Sequence, residues 1–422
     1  MFSRFKKWFS TPQSSPDIDR QNFVNVQIDA IGVGLAGSAS PFLPVFLTHL
    51  NASNFQIGLL TSMPALTGFL LSLPLGQFLQ SRKRIVPWFS IARLAVIASY
   101  FLTGFITFFI PQDYLVIAIL AVWALATIPQ TLLAITFSVV MNAVAGEKGR
   151  FELMTRRWSI LGLTTAFTVA AIGQILVRIG FPLNFQVVFI GLSIGGLISY
   201  IFSNRIKIPD TNTVVGKKSD TSLCASVKNY LTLIQKEKPF KSFIIKRFVF
   251  LTGINLAAPL FAIYYVRVAH LDESWIAAIS SLQTFILVLG YFFWTNQSRR
   301  RGSRIVLLCT TLGLSAFPIL VAFTTQNWVI LILAAFSGIF QAGLDLVFFD
   351  ELMKTVPFEY SATFVALAQG IQYFSTMIAP TLGTTFADIF GVSTALIIGG
   401  LVRLAGFFLF WKQKPVSPIG NA

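Results

Sequence analysis

The sequence predicts an all-α integral membrane protein whose 12 transmembrane helices form two pseudo-symmetric six-helix bundles. Three observations carry this. Of 422 residues, 55% are hydrophobic and only 11% charged, with a mean hydropathy of +0.73. A water-soluble domain carries about 25% charged residues, so most of this surface must meet something other than water. Twelve apolar runs follow one another, each near the roughly 20 residues that a bilayer-crossing helix needs. One long polar stretch, Asn204 to Lys238, divides them six and six.

Residues 1–21 form a cytoplasmic N-terminal segment. Its first ten, MFSRFKKWFS, set Phe2, Phe5 and Phe9 at helical spacing with Trp8, beside Arg4, Lys6 and Lys7. That suits a short interfacial helix on an anionic membrane or, equally, a disordered basic tail. It is too short and too charged for the apolar core of a signal peptide. The first bundle, 22–204, holds spans at about 22–48, 55–80, 85–109, 114–143, 157–179 and 185–204. The central cytoplasmic loop is 205–238. The second bundle, 239–412, holds spans at about 241–268, 274–295, 304–324, 327–353, 361–387 and 391–411, and residues 413–422 form a cytoplasmic tail.

Charge orients these spans. With the N-terminus inside, the cytoplasmic segments hold all of the 32 lysines and arginines but four. Arg178 and Arg267 lie on the opposite face, and Arg93 and Arg403 fall inside spans. This is the positive-inside asymmetry, and an even number of spans puts both termini in the cytoplasm. It explains the net charge of +16 without a nucleic-acid partner. The two cysteines, Cys224 and Cys309, lack metal-ligand spacing and read as free thiols.

The halves repeat. SNFQIGLLTS (53–62) aligns with DESWIAAISS (272–281), Pro41 falls near Pro259, and Arg84-Ile85-Val86 falls on Arg304-Ile305-Val306. His49 and His270 occupy nearly equivalent places. Two parallel six-helix halves are the architecture of a transporter class whose site lies near the midplane.

On these residues the chain resembles the major facilitator superfamily, over about Phe23 to Trp411. The family's signature between its second and third spans is a glycine, an acid four residues later, and basic residues. Here Gly76 and Arg84 fit, but Gln80 stands in the acid's place and Lys83 at the second glycine. After the fourth span, Glu147-Lys148-Gly149-Arg150 resembles the family's acidic turn. The resemblance implies a cytoplasmic gate, whose candidates are Gly76, Gln80, Arg84, Arg150, Arg299, Arg304, Asp350 and Glu351. Asp350 and Glu351 would pair there with Arg299–Arg304 or with Lys354.

An ionisable group inside a span costs roughly 2.5–3.5 kcal/mol, so it usually faces a cavity or a partner. Asn25 and Asp29 sit four residues apart in the first span, and Gln341 and Asp345 four apart in the tenth, so each pair shares a helix face. The resemblance places the first, fourth, seventh and tenth spans around the central cavity, adding Gln130 and Asn255 as candidates. Asp29 and Asp345 are expected as substrate contacts or proton carriers. A purely structural pairing competes for each, for Asp29 with Arg93 or with Lys246–Arg247. Gln369 and Gln372 in the eleventh span read as interhelical hydrogen-bond partners.

No HExxH, CxxC, P-loop or GxSxG pattern occurs, so neither an enzyme nor an ATP-driven pump is expected, and no cofactor or metal site. The expected function is that of a secondary transporter, moving a small solute by rocker-switch alternating access, with protons as candidate coupling ion. Its cavity is sparse in charge and rich in Phe, which favours an amphipathic solute of the drug-exporter kind. The expected setting is the plasma or inner membrane, with lipid around a monomer. The alternative is a transporter-like assembly or binding factor for a pigment or lipid, which the degenerate gate motif would suit.

Overall fold

A backbone that crosses lipid must satisfy its own N–H and C=O groups, and helices are how this chain does so. The computed structural model describes residues 19–208 and 237–412, apart from Ser53, Asp272, Phe358 and Glu359. The N-terminal stretch read as an interfacial helix or basic tail, Cys224, most of the central loop and the C-terminal tail lie outside the described residues. Among the described residues there are α-helices and one short 3-10 turn, and no strand. Ten stretches are long and apolar enough to cross a membrane.

The first predicted span is α1 (Arg20–Gly37) followed by α2 (Phe42–His49). The side chain of Asp19 caps α1 by accepting from the backbone N–H of Gln21 at 3.1 Å. The span breaks at Ser38–Pro41, where the Ser38 hydroxyl donates to the Gly34 carbonyl and Pro41 offers no N–H. Then come α3 (Asn54–Gln80), α4 (Val86–Phe105) with its 3-10 extension Ile106–Phe108, and α5 (Gln112–Arg178).

The long α5 holds the fourth and fifth predicted spans as two arms that meet at Gly146 (φ 62°, ψ 179°), a conformation only glycine takes readily. The sequence places the turn at Glu147–Arg150. Instead the chain re-enters helix at once after Gly146, and residues 147–156 extend the second arm. The sixth predicted span is α6 (Leu183–Leu192) and α7 (Ile194–Asn204), interrupted at Ser193.

In the second half the spans are α8 (Lys238–Arg267), α9 (Glu273–Arg301), α10 (Ser303–Ala322), α11 (Asn327–Thr355), α12 (Ser361–Phe390) and α13 (Val392–Trp411). Pro259 sits inside α8 without breaking it, although it is the repeat partner of Pro41. Leu256-Ala257-Ala258 precede it, good helix formers, where Ser38-Ala39-Ser40 precede Pro41.

The chain forms two compact units: Met1–Gly216 with Phe358–Gly370, and Lys217–Pro357 with Ile371–Ala422. Within each unit the same helix pairs recur. In the first, α1 packs on α7, α3 on α5, and α4 on both α5 and α7; in the second, α8 packs on α13, α9 on α11, and α10 on both α11 and α13. Asn51 and His270 are the only described non-glycine residues with positive φ, at 59° and 50°. Each closes the first span of its half, so the repeat reaches down to one strained residue.

The close α1–α7 crossing rests on glycine. A Cβ on Gly32 would meet the Gly195 carbonyl oxygen at 2.5 Å. In the second unit a Cβ on Gly253 would lie 2.8 Å from the Arg403 backbone nitrogen and 2.9 Å from the Gly399 oxygen. Each unit has its own apolar core. Phe46, Trp123, Phe185 and Phe189 centre the first; Leu260, Tyr264, Phe317 and Leu396 centre the second. The outer surfaces are as greasy: Phe167 and Phe323 are each 76% exposed, a surface that suits lipid rather than water.

Candidate functional site

Each unit carries within its helices one of the two carboxylates that spacing singles out, Asp29 fully buried and Asp345 half-buried, and the two are held differently. In the first unit Asp29 on α1 is fully buried. Arg93 of α4 donates to its Oδ2 at 3.3 Å and Arg157 of α5 to the same oxygen at 3.4 Å, while the Ser199 hydroxyl of α7 donates to Oδ1 at 2.5 Å. Both guanidiniums are almost wholly buried and lie over aromatic rings, Arg93 over Phe89 and Arg157 over Phe137. One carboxylate thus ties four helical segments together. Of the two structural partners read from sequence, Arg93 is the one present. Arg157 and Ser199 were not foreseen. Arg157 counts as a loop cation only if the helix starts at 157, and the extra turns of α5 lift it into the bundle.

Asn25 does not share this network, although it lies on the same face. Its Nδ2 donates to the Arg205 carbonyl at 3.2 Å, and the Asn22 side chain pairs with the backbone of Lys207. These amides tie the residues just after α7 to the foot of α1. The contact shown for Asn25 is thus a backbone anchor. Gln130 is half-buried in the first arm of α5 and makes no hydrogen bond among the described residues.

In the second unit Asp345 on α11 accepts from Gln341 Nε2 at 2.8 Å, one turn away, and from the Tyr291 hydroxyl of α9 at 3.0 Å. No cation pairs with it among the described residues. Tyr291 is placed by the close approach of α9 to α11. A Cβ on Gly290 would fall 2.9 Å from Ala342 Cβ, and the Trp294 indole donates to the Ile339 carbonyl at 2.8 Å. Beside this cluster the unit holds an open-sided cavity of about 290 Å³. Gln341 lines it together with Gln283, Ser337, Phe261, Phe317 and Arg403. The Gln283 amide donates to Ser337 Oγ at 2.9 Å. Gln341 therefore links the carboxylate to the cavity wall. Such a carboxyl can change its protonation without breaking an ion pair, because its partners are neutral.

Asn255 on α8 stands outside this lining. It donates to Ser375 Oγ at 3.0 Å and Thr376 Oγ1 at 3.2 Å, both on α12. Arg247 Nη2 donates to Gln372 Oε1 at 2.7 Å on the same helix pair. Gln372 is thus an interhelical partner, and such polar side chains keep α12 out of the most apolar spans.

The gate candidates belong to both units. Gly76 packs within the first unit against Ala366, and a Cβ there would also come 3.3 Å from the Ala362 oxygen. Gln80 is half-buried at the last turn of α3, and Arg84 is exposed just beyond it. Arg82 lies over Phe78 (4.4 Å) and Trp88 (5.4 Å), fixing the turn into α4. Arg150 is buried and donates to Asn142 Oδ1 at 2.7 Å. Asp350 and Glu351 are held by Lys354, at 2.6 and 3.0 Å, and the Ser303 hydroxyl donates to Glu351 at 2.8 Å. Arg304 reaches the Trp411 carbonyl at 3.4 Å, and Arg299 is exposed at the end of α9.

Residues 243–422 match the model of the Major Facilitator Superfamily. The chain is 25% identical over 181 residues to the multidrug resistance protein MdtG of Proteus mirabilis (strain HI4320), covering 41% of this chain and 44% of that protein. It thus spans under half the length of that relative. The fold is similar to that of a bacterial homologue of the iron transporter ferroportin, with a TM-score of 0.73, 14% identity, and 93% of this chain and 98% of that one covered. It is also similar to the E. coli fucose:proton symporter FucP, with a TM-score of 0.69, 14% identity, and 93% and 98% covered.

Proposed function

We propose that this chain, which has the fold of the major facilitator superfamily, is a secondary transporter that moves a small amphipathic solute by alternating access. Protons are its coupling ion, and Asp345 carries them. The observation that supports this reading is the Asp345–Tyr291–Gln341 cluster, a half-buried carboxyl with neutral partners whose Gln341 also faces a cavity. Solute bound there and a proton on Asp345 would each bias the same conformational equilibrium, which is all that coupling requires. The likeness to a multidrug resistance protein supports an amphipathic solute and outward movement. Lipid surrounds a monomer in the plasma or inner membrane, with both termini cytoplasmic as the cation asymmetry indicates.

Reconstituted vesicles test this. The expected result is saturable flux of an amphipathic solute that a pH gradient accelerates, and Asp345→Asn should abolish the acceleration while sparing solute counterflow. Gradient-driven flux that is unchanged in Asp345→Asn would sink the proton-carrier role. Gln80 in place of the usual gate acid favours the second reading, an assembly or binding factor. Such a protein would co-purify stably with its partner and show no flux.

A further inference from the structure

The second unit also buries an arginine that no carboxylate answers among the described residues. Arg403 on α13 is only 4% exposed. Its Nε donates to the Gly253 carbonyl at 3.2 Å and its Nη1 to the Leu314 carbonyl at 2.9 Å. A guanidinium stays protonated in a protein and has five N–H donors, so these two bonds leave three unused. The acids within α11 are held by other groups, Asp345 by Tyr291 and Gln341, Asp350 by Lys354. A buried cation without a counter-charge is costly, and an anion brought into contact with it would relieve that cost.

The space for one is present. Arg403 lines the cavity of about 290 Å³, whose other polar groups are neutral. The Phe261 and Phe317 rings, stacked with centroids 4.9 Å apart, give it an apolar wall. One fixed cation, neutral hydrogen-bonding groups and aromatic walls in a small volume fit a flat apolar body bearing one negative charge.

We propose that the cavity of the second unit binds an aromatic monocarboxylate, with the carboxylate on Arg403 and the ring against Phe261 and Phe317. This rests on the reading of the cavity as a solute site, and it narrows the solute to a monoanion.

The test uses purified full-length protein with benzoate as probe and benzyl alcohol as the neutral control of the same shape. Benzoate is expected to raise the thermal midpoint and benzyl alcohol to leave it unchanged, since a ligand of the folded state stabilises it by mass action. Arg403→Gln should weaken benzoate binding by about tenfold or more, and Arg403→Lys by less, because lysine keeps the charge but loses the fork. Ala258→Trp fills the cavity from its exposed side with Arg403 intact, and should remove the benzoate shift even if Arg403→Gln does not fold. Equal effects of benzoate and benzyl alcohol, or a benzoate shift that survives Ala258→Trp, would overturn the proposal. If benzoate binds through Arg403 but vesicles move no solute, this inference stands and the transporter reading falls. If vesicles move solute but benzoate does not bind, the inference alone falls.

Discussion

Asp29 and Asp345 begin from the same sequence pattern and end in opposite company. Each is a carboxylate in a spanning helix, four residues after an amide. In the first unit the amide of Asn25 turns to the Arg205 backbone, and two guanidiniums and a hydroxyl close on Asp29. In the second unit Gln341, one methylene longer, reaches its aspartate, and the only other donor shown is a phenol. A carboxylate answered by cations locks helices together. A carboxylate answered by neutral donors keeps the freedom to take up a proton. The shared spacing does not distinguish the two carboxylates, whereas the charge of their partners does.

The comparison can be broken in several places. Asp29→Asn should have the largest effect, since it leaves Arg93 and Arg157 buried without their counter-charge at a cost of about 3–5 kcal/mol. Low yield and a lowered thermal midpoint in detergent are the expected readouts, and near-native stability would show that the network is dispensable. Asp345→Asn should fold normally while gradient-driven flux falls by about 5–150-fold, the usual span of a coupling energy. If instead it lost stability as Asp29→Asn should, the contrast between the two sites would collapse. Tyr291→Phe removes one neutral hydrogen bond worth about 1 kcal/mol, so flux should drop roughly fivefold with the fold intact. The smallest effect belongs to Gln80→Asp at the end of α3. Flux should change by less than about twofold, as a single partly exposed charge allows. Accessibility labelling should still report a shifted balance of inward-open and outward-open states; labelling identical to the parent would remove any gate role for this position.

The fold class was legible because lipid leaves the backbone few options, and long apolar helices are the outcome wherever twelve such runs occur. What escaped was local. Pro41 breaks its span and Pro259 does not, a difference set by the serines before the one and the alanines before the other. The turn after the fourth span moved to Gly146 because the charged residues that followed still formed helix, and that shift hid Arg157. The candidate site was legible only in part. Gln341 and Asp345 announced themselves by spacing, but Tyr291 comes from another helix and looks like any aromatic in a span. Arg403 was visible as a cation inside a span. Its carbonyl clamps could not be read, since no local pattern marks which backbone oxygens a distant guanidinium will reach.

The four-part network around Asp29 also bears on how the protein is made. A chain enters the membrane in the order of its synthesis. Asp29 arrives with the first span, Arg93 with the third, Arg157 with the fifth and Ser199 with the sixth. Until the third span enters, its carboxylate has none of the partners that later enclose it, a burden of roughly 2.5–3.5 kcal/mol for a charge at mid-helix, and the set is complete only with the sixth. Arg403 comes with α13, the last of the described helices, when the carbonyls of Gly253 and Leu314 are already in place. The first half must therefore shelter an unmatched charge while it grows, and the second receives its charge into a seat already built.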